Sequence, residues 1–213
     1  KYVNSGVLSV KRHNLPMAVR YKKRDGAPVE HKVDRHCTEG RHWEFFKDYR
    51  AKNPDVQAAQ LDTVEGGRDD KCVLLTAMFP NQQFMVARLL PGKCARHVSD
   101  AFNWMWNTLG DCTFKMLFPA ILTDNGTEFS NPLAIETSPK DGSKRTSVFY
   151  TRPHKATDKS EVERNHEYIR RVVFKGKSFD ALTQEHVNLM MSHVNSYVRA
   201  SLMKGNADEY SSL

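Results

Sequence analysis

No apolar run in the sequence approaches the roughly 20 residues needed to span a bilayer. Cys72–Phe79 (CVLLTAMF) is only the size of a strand. A signal-like apolar stretch is also missing at the start of the chain, so the expectation is a soluble, intracellular protein without a membrane partner. Cysteine is scarce: Cys37, Cys72, Cys94 and Cys112 form no CxxC pair and stand at no zinc-knuckle spacing from His36 or His42. They are expected to be reduced structural thiols, not metal ligands. Internal repeats and low-complexity tracts are absent too. What remains is a chain of 213 residues, 39% hydrophobic and 10% aromatic, which suits one packed domain with an extension.

Charge is unevenly spread. Residues 1–52 carry thirteen Lys/Arg against six Asp/Glu, whereas residues 53–213 carry nineteen of each, so all of the net +7 lies in the first quarter. Such asymmetry predicts a polyanion-binding arm on a charge-balanced domain. Within the arm, Val19–Arg24 (VRYKKR) interleaves a tyrosine with Arg20, Lys22, Lys23 and Arg24, which are candidate DNA contacts. Thr38 and Glu39 are expected to open a short helix carrying Trp43, Phe46 and Tyr49, ended by Pro54. The expected organisation is a basic arm or linker over 1–54, a core over 55–202 and a tail over 203–213.

From Val56 the pattern becomes strand-like. Val56–Val64, Lys71–Phe79 and Gln83–Leu90 read as a three-stranded meander, punctuated by Gly66–Gly67 and Pro80–Asn81. Val98, Phe102, Met105 and Leu109 then recur at helical spacing before Gly110. Met116–Leu122 reads as a buried strand, Ser147–Thr151 as another, and Asp158–Phe174 and Thr183–Leu202 as helices. Three antiparallel strands followed by alternating elements predict an α/β fold, a mixed five-stranded sheet flanked by helices. Trp104 and Trp106 are expected in the core or an interface, and Glu65, Asp69 and Asp70 as hairpin polarity.

Three acids stand in informative places. Asp62 lies inside the first strand, in QLDTVEG, where strand propensity disfavours aspartate. Asp124 ends a buried run in ILTDNGTEF, and Glu163 lies on the helix Asp158–Phe174. Together these runs closely resemble the integrase core shared by retroviral integrases and many bacterial transposases, with the nearest likeness to insertion-sequence transposases. The likeness covers about residues 56–200, and its most specific part is the DNG motif with its flanks. It implies a ribonuclease H-like fold with Asp62, Asp124 and Glu163 as catalytic metal ligands. In the family the Glu helix is followed by basic residues, as Arg170–Arg171 are here. Two departures stand out. The Asp124-to-Glu163 separation of 39 residues is longer than usual, which the polar run Ser138–Arg145 accounts for as a surface insertion. The family's frequent Asn three residues after the Glu is His166 here, which leaves Glu161 as a rival third ligand.

The implied activity is metal-dependent DNA cleavage and strand transfer at mobile-element ends. In-line displacement at phosphorus needs a deprotonated attacking oxygen and a stabilised leaving oxygen, and two Mg²⁺ ions held by carboxylates supply both. Mn²⁺ is expected to substitute. Lys159 and His166 share the helix face of Glu163, and with Lys155 and Arg164 they are candidate phosphate contacts. The expected partners are double-stranded DNA and further copies of the chain, in a bacterial, nucleoid-associated setting. Two other readings stay open: a ribonuclease H-like or resolvase-like nuclease that cleaves without joining, and a non-catalytic DNA-binding protein.

Overall fold

A computed structural model describes residues 36–153, 158, 160–174 and 176–197, leaving out the side chains of Ser160, Glu161, Glu163 and Arg164. The strands β1 (Ala58–Glu65), β2 (Val73–Phe79) and β3 (Phe84–Leu90) form the antiparallel meander that the turn residues predicted. β4 (Ala120–Thr123) runs parallel to β1, and β5 (Val148–Tyr150) parallel to β4. The order across the sheet is β3-β2-β1-β4-β5. This is the mixed five-stranded sheet that was expected.

Helices cover both faces. On one face α2 (Ala95–Leu109) and α3 (Asp111–Leu117) pack Val98, Phe102, Trp106 and Phe114 onto Ala59, Leu61, Leu75 and Ala77. On the other, α5 (Ser160–Val172) and α6 (Gln184–Ser196) set Val162, Ile169, Val187 and Met190 against Val64, Leu74, Met78 and Met85. Every residue of β2 is therefore buried, which explains its unbroken apolar run. The helix α1 (Trp43–Lys52) belongs to the same body: Phe46, Trp43 and Tyr49 pack on Ala58, Ala120, Leu122 and Phe149. The latter part of the stretch read as an arm is thus a layer of the domain. The helix α1 starts at Trp43, with His42 as its N-cap, not at Thr38.

Two further expectations need correction. Met116–Leu122 is not one strand: Met116 and Leu117 end α3, Pro119 interrupts, and only Ala120–Thr123 enters the sheet. A short apolar run carries no periodicity to separate helix from strand, and here Phe114 and Phe118 stack on Phe102 instead. The run Ser138–Arg145 is a surface loop only in its middle. Ser138 and Arg145 are buried, and Arg145 donates to the carbonyls of Ile135 (2.8 Å) and Ala134 (2.9 Å) and to Asn103 (2.9 Å). These carbonyls end the short helix α4 (Pro132–Glu136), so the arginine supplies donors that the helix terminus lacks. Burial lowers the Arg145 pKa to about 10.

Candidate active site

Sheet register brings the two aspartates together. β1 and β4 pair as Ala58 with Ala120 and Gln60 with Leu122. Extended by two residues, the same register matches position 62 with position 124, which lies one residue beyond the end of β4. Alternation along β1 assigns the face. Leu61 joins the α2 side, while Gln60 accepts a hydrogen bond from Val162 N of α5 at 3.1 Å and Val64 packs beneath α5 and α6. Asp62 therefore faces α5, between two well-covered neighbours, with 18% of its side chain exposed.

Each aspartate is oriented by backbone. Asp62 Oδ1 accepts from Thr63 N at 2.8 Å. Asp124 Oδ1 accepts from Gly126 N at 3.0 Å, the Asx turn foreseen from Asp-Asn-Gly. Asn125 Nδ2 donates to Thr151 O, tying this turn to the end of β5. Gly126 is needed for space: a Cβ there would lie 2.6 Å from Glu128 Oε2 and 3.0 Å from Asp124 Oδ1.

Glu163 lies on α5, which crosses the same face, one turn before His166 on neighbouring rows of the helix. Its side chain, and those of Glu161 and Arg164, fall outside the described residues, as do Arg20, Lys22, Lys23, Arg24, Lys155 and Lys159. Among the described residues no three His, Cys, Asp or Glu side chains gather closely enough to hold a metal ion. His166 is only 17% exposed, and its ring turns toward the sheet: Nε2 lies 2.8 Å from Thr76 Oγ1 and Nδ1 3.8 Å from Asp62 Oδ2. The entry to α5 is pinned by Arg152, which donates to Asp158 at 2.9 Å and stacks over Trp43. That hydrogen bond raises the Arg152 pKa.

Sequence reading passed over the acid on the opposite face. Glu128, only 3% exposed, accepts from Thr63 Oγ1 at 2.6 Å and lies 3.5 Å from Lys93 Nζ. Lys93 also donates to Glu65 at 2.7 Å. Burial would lower the Lys93 pKa, but the Glu65 hydrogen bond and the Glu128 charge outweigh it and hold the ammonium above its ordinary value. No local signal marked it, since the partners of Glu128, Thr63 and Lys93, are distant in sequence.

Asp70 does more than keep a hairpin polar. It accepts from Gly67 N (2.8 Å) and Phe179 N (2.6 Å), while Asp180 accepts from Cys72 N (2.8 Å) and Lys71 N (3.0 Å). These bonds hold both carboxyls below the usual range, led by Phe179 N for Asp70 and Cys72 N for Asp180. The two acids lock the β1–β2 hairpin to the segment before α6. Of the tryptophans, Trp106 is core, whereas Trp104 is half-exposed with the Arg88 guanidinium 3.7 Å above its ring. All four cysteines are free thiols. No described helix is long and apolar enough to cross a membrane.

No protein-family model and no curated protein sequence matches the chain. Solved structures do resemble it in chain trace. The catalytic core domain of BIV integrase is similar at 15% identity, covering 72% of this chain and 97% of that one with a TM-score of 0.44. The simian T-cell lymphotropic virus intasome, solved in complex with PP2A regulatory subunit B56 gamma, is similar at 13% identity and TM-score 0.45. That match covers 66% of this chain and 49% of the other, so the chain spans about half the length of that protein. At these identities no residue role is carried across.

Proposed function

We propose that this chain is a metal-dependent polynucleotidyl transferase acting on DNA, a transposase that cleaves the ends of a mobile element and joins them to a target. One observation carries the reading: the β1–β4 register, which extended by two residues matches Asp62 with Asp124 on the side crossed by the helix of Glu163. Buried strands rarely present paired aspartates without cause, because like charges so close raise each other's cost. A divalent cation removes that cost, and an all-oxygen donor set matches Mg²⁺, with Mn²⁺ as substitute.

In this reading Asp62, Asp124 and Glu163 hold the ions. When bound, two such ions favour the deprotonated form of the attacking water or 3′-hydroxyl and neutralise charge on the leaving oxygen. The protein's part is positioning. Thr63 N and Gly126 N each fix one carboxylate oxygen. Arg152 and Asp158 set where α5 begins, and with it the reach of Glu163. The basic stretch 1–35, with Arg20, Lys22, Lys23 and Arg24, and the cations Lys155, Lys159 and Arg164 supply phosphate contacts that orient duplex DNA. Joining two ends requires more than one copy of the chain.

The test uses labelled duplex ends with Mg²⁺ and an unlabelled target. Transposase activity yields both nicked and joined products. Cleaved product without joining establishes the nuclease reading instead, and neither product with any divalent ion overturns the proposal.

A further inference from the structure

The helix that carries Glu163 is tied to the sheet by polar contacts one turn apart. Val162 N donates to Gln60 Oε1 (3.1 Å), His166 Nε2 lies 2.8 Å from Thr76 Oγ1, and Arg170 Nη2 donates to Glu65 O (2.6 Å). Positions 162, 166 and 170 are four apart and so follow one stripe of α5. Their partners follow the sheet in the same order, because Thr76 pairs with Asp62, between Gln60 and Glu65 on β1. Thr76 is fully buried, and its hydroxyl also donates to Asp62 O at 3.0 Å.

Apolar packing does not by itself dictate this arrangement. Val162 and Ile169 sit among Val64, Leu74 and Met78, and such contact is non-directional, so it selects no single axial level for the helix. A hydrogen bond has a set length and angle, and therefore does. Val162 N belongs to the first turn of α5, which begins at Ser160, and a backbone N–H there has no acceptor within the helix. Gln60 supplies one from the strand. It stands two residues before Asp62 on the same face of β1, about 6.7 Å along the strand, and the residue that it holds immediately precedes Glu163.

We infer that Gln60, seconded by Thr76 one turn further on, is a positioning residue that sets the level of Glu163 relative to Asp62. The inference rests on the reading of Glu163 as a metal ligand proposed above. Gln60 acts through the helix and not on the ion: it keys the start of α5 to the strand that carries Asp62, so that two ligands distant in sequence keep one spacing. A misplacement of about 1 Å at such a site costs about 10²-fold in rate.

A double-mutant cycle on Mn²⁺ binding to the full 213-residue chain, followed by electron paramagnetic resonance of the free ion, tests this. Gln60→Met keeps the length of the side chain and removes the acceptor. It should weaken Mn²⁺ binding about tenfold in the chain with Glu163 and leave it unchanged in a Glu163→Gln background, because the two residues act as one unit. A merely structural glutamine would weaken binding in both backgrounds alike. If Gln60→Met does not fold, Thr76→Val, which keeps the shape of the buried side chain, takes its place in the same cycle with the same expectation. Equal weakening in both backgrounds, or none in the chain with Glu163, overturns the inference and leaves the metal reading standing. If Glu163→Gln alone binds Mn²⁺ as wild type does, or wild type binds none, the underlying reading itself fails.

Discussion

Asp62 and Glu128 approach β1 from opposite faces, and the contrast between them separates a carboxylate placed for a ligand from one placed for the fold. Asp62 keeps part of its side chain exposed and shares its surroundings with another acid, Asp124, and with an imidazole. Glu128 is almost fully enclosed, with a hydroxyl on one oxygen and the Lys93 ammonium nearby. Its second oxygen has no hydrogen-bond partner among the described residues and lies against Gly126, in the turn that carries Asp124. One acid lies beside an imidazole on the face that α5 crosses. The other is largely neutralised from within, and it ties β1 to the Asp124 turn from behind.

The comparison predicts opposite outcomes for the same kind of substitution. Asp62→Asn should reduce metal-dependent cleavage by at least about 10³-fold, roughly 4 kcal/mol of barrier, while melting temperature and duplex binding stay at wild-type values. A large fall in melting temperature would make Asp62 structural. Glu128→Ala should do the reverse in kind, costing about 2–3 kcal/mol in urea unfolding because Thr63 and Lys93 lose a buried partner. Glu128→Gln, which retains an acceptor, should cost about 1 kcal/mol. Wild-type stability in the alanine variant would erase the distinction.

Gly126→Ala sits where the two acids nearly meet. Its Cβ would press on both Glu128 and Asp124, so cleavage should fall about tenfold or more through misplacement of the Asp124 carboxylate. Stability should drop by only about 1 kcal/mol, since the turn can yield. Single-turnover kinetics beside urea titration separates the two effects.

The smallest effect concerns Asp70 and Asp180, acids held chiefly by backbone donors. Both have folded-state pKa values below the unfolded value near 4. Their stabilisation is therefore fully present above that value and is lost as pH falls through the lower, folded pKa. Asp70→Asn should flatten the acid limb of the stability curve below about pH 4 and leave cleavage at neutral pH unaltered. An unchanged acid limb would remove Asp70 from the hairpin lock.

Much of the fold was legible because it is written in local signals. The meander follows from short apolar or alternating segments separated by Gly66–Gly67 and Pro80–Asn81, and α2 from its apolar stripe and the left-handed Gly110 at its end. The third helix was not legible, because Asp111–Leu117 is too short for a period to emerge and runs straight into apolar residues of β4. At the site, Asp62 and Asp124 were legible as anomalies: an aspartate in a strand and one opening a turn. Glu128, Lys93 and Thr76 were not, because each is an ordinary residue whose importance comes from a partner 14 to 65 positions away.

The amino-acid order alone therefore determined which segments become strands and helices, where the excess positive charge lies and which acids are out of place. These depend on side-chain size, periodicity and turn chemistry within a few neighbours. Only the tertiary structure decided the register of β1 against β4, that α1 packs on the sheet and that His166 turns inward to Thr76. Register between distant strands and the direction of a helix side chain are set by packing, which no short window of sequence contains.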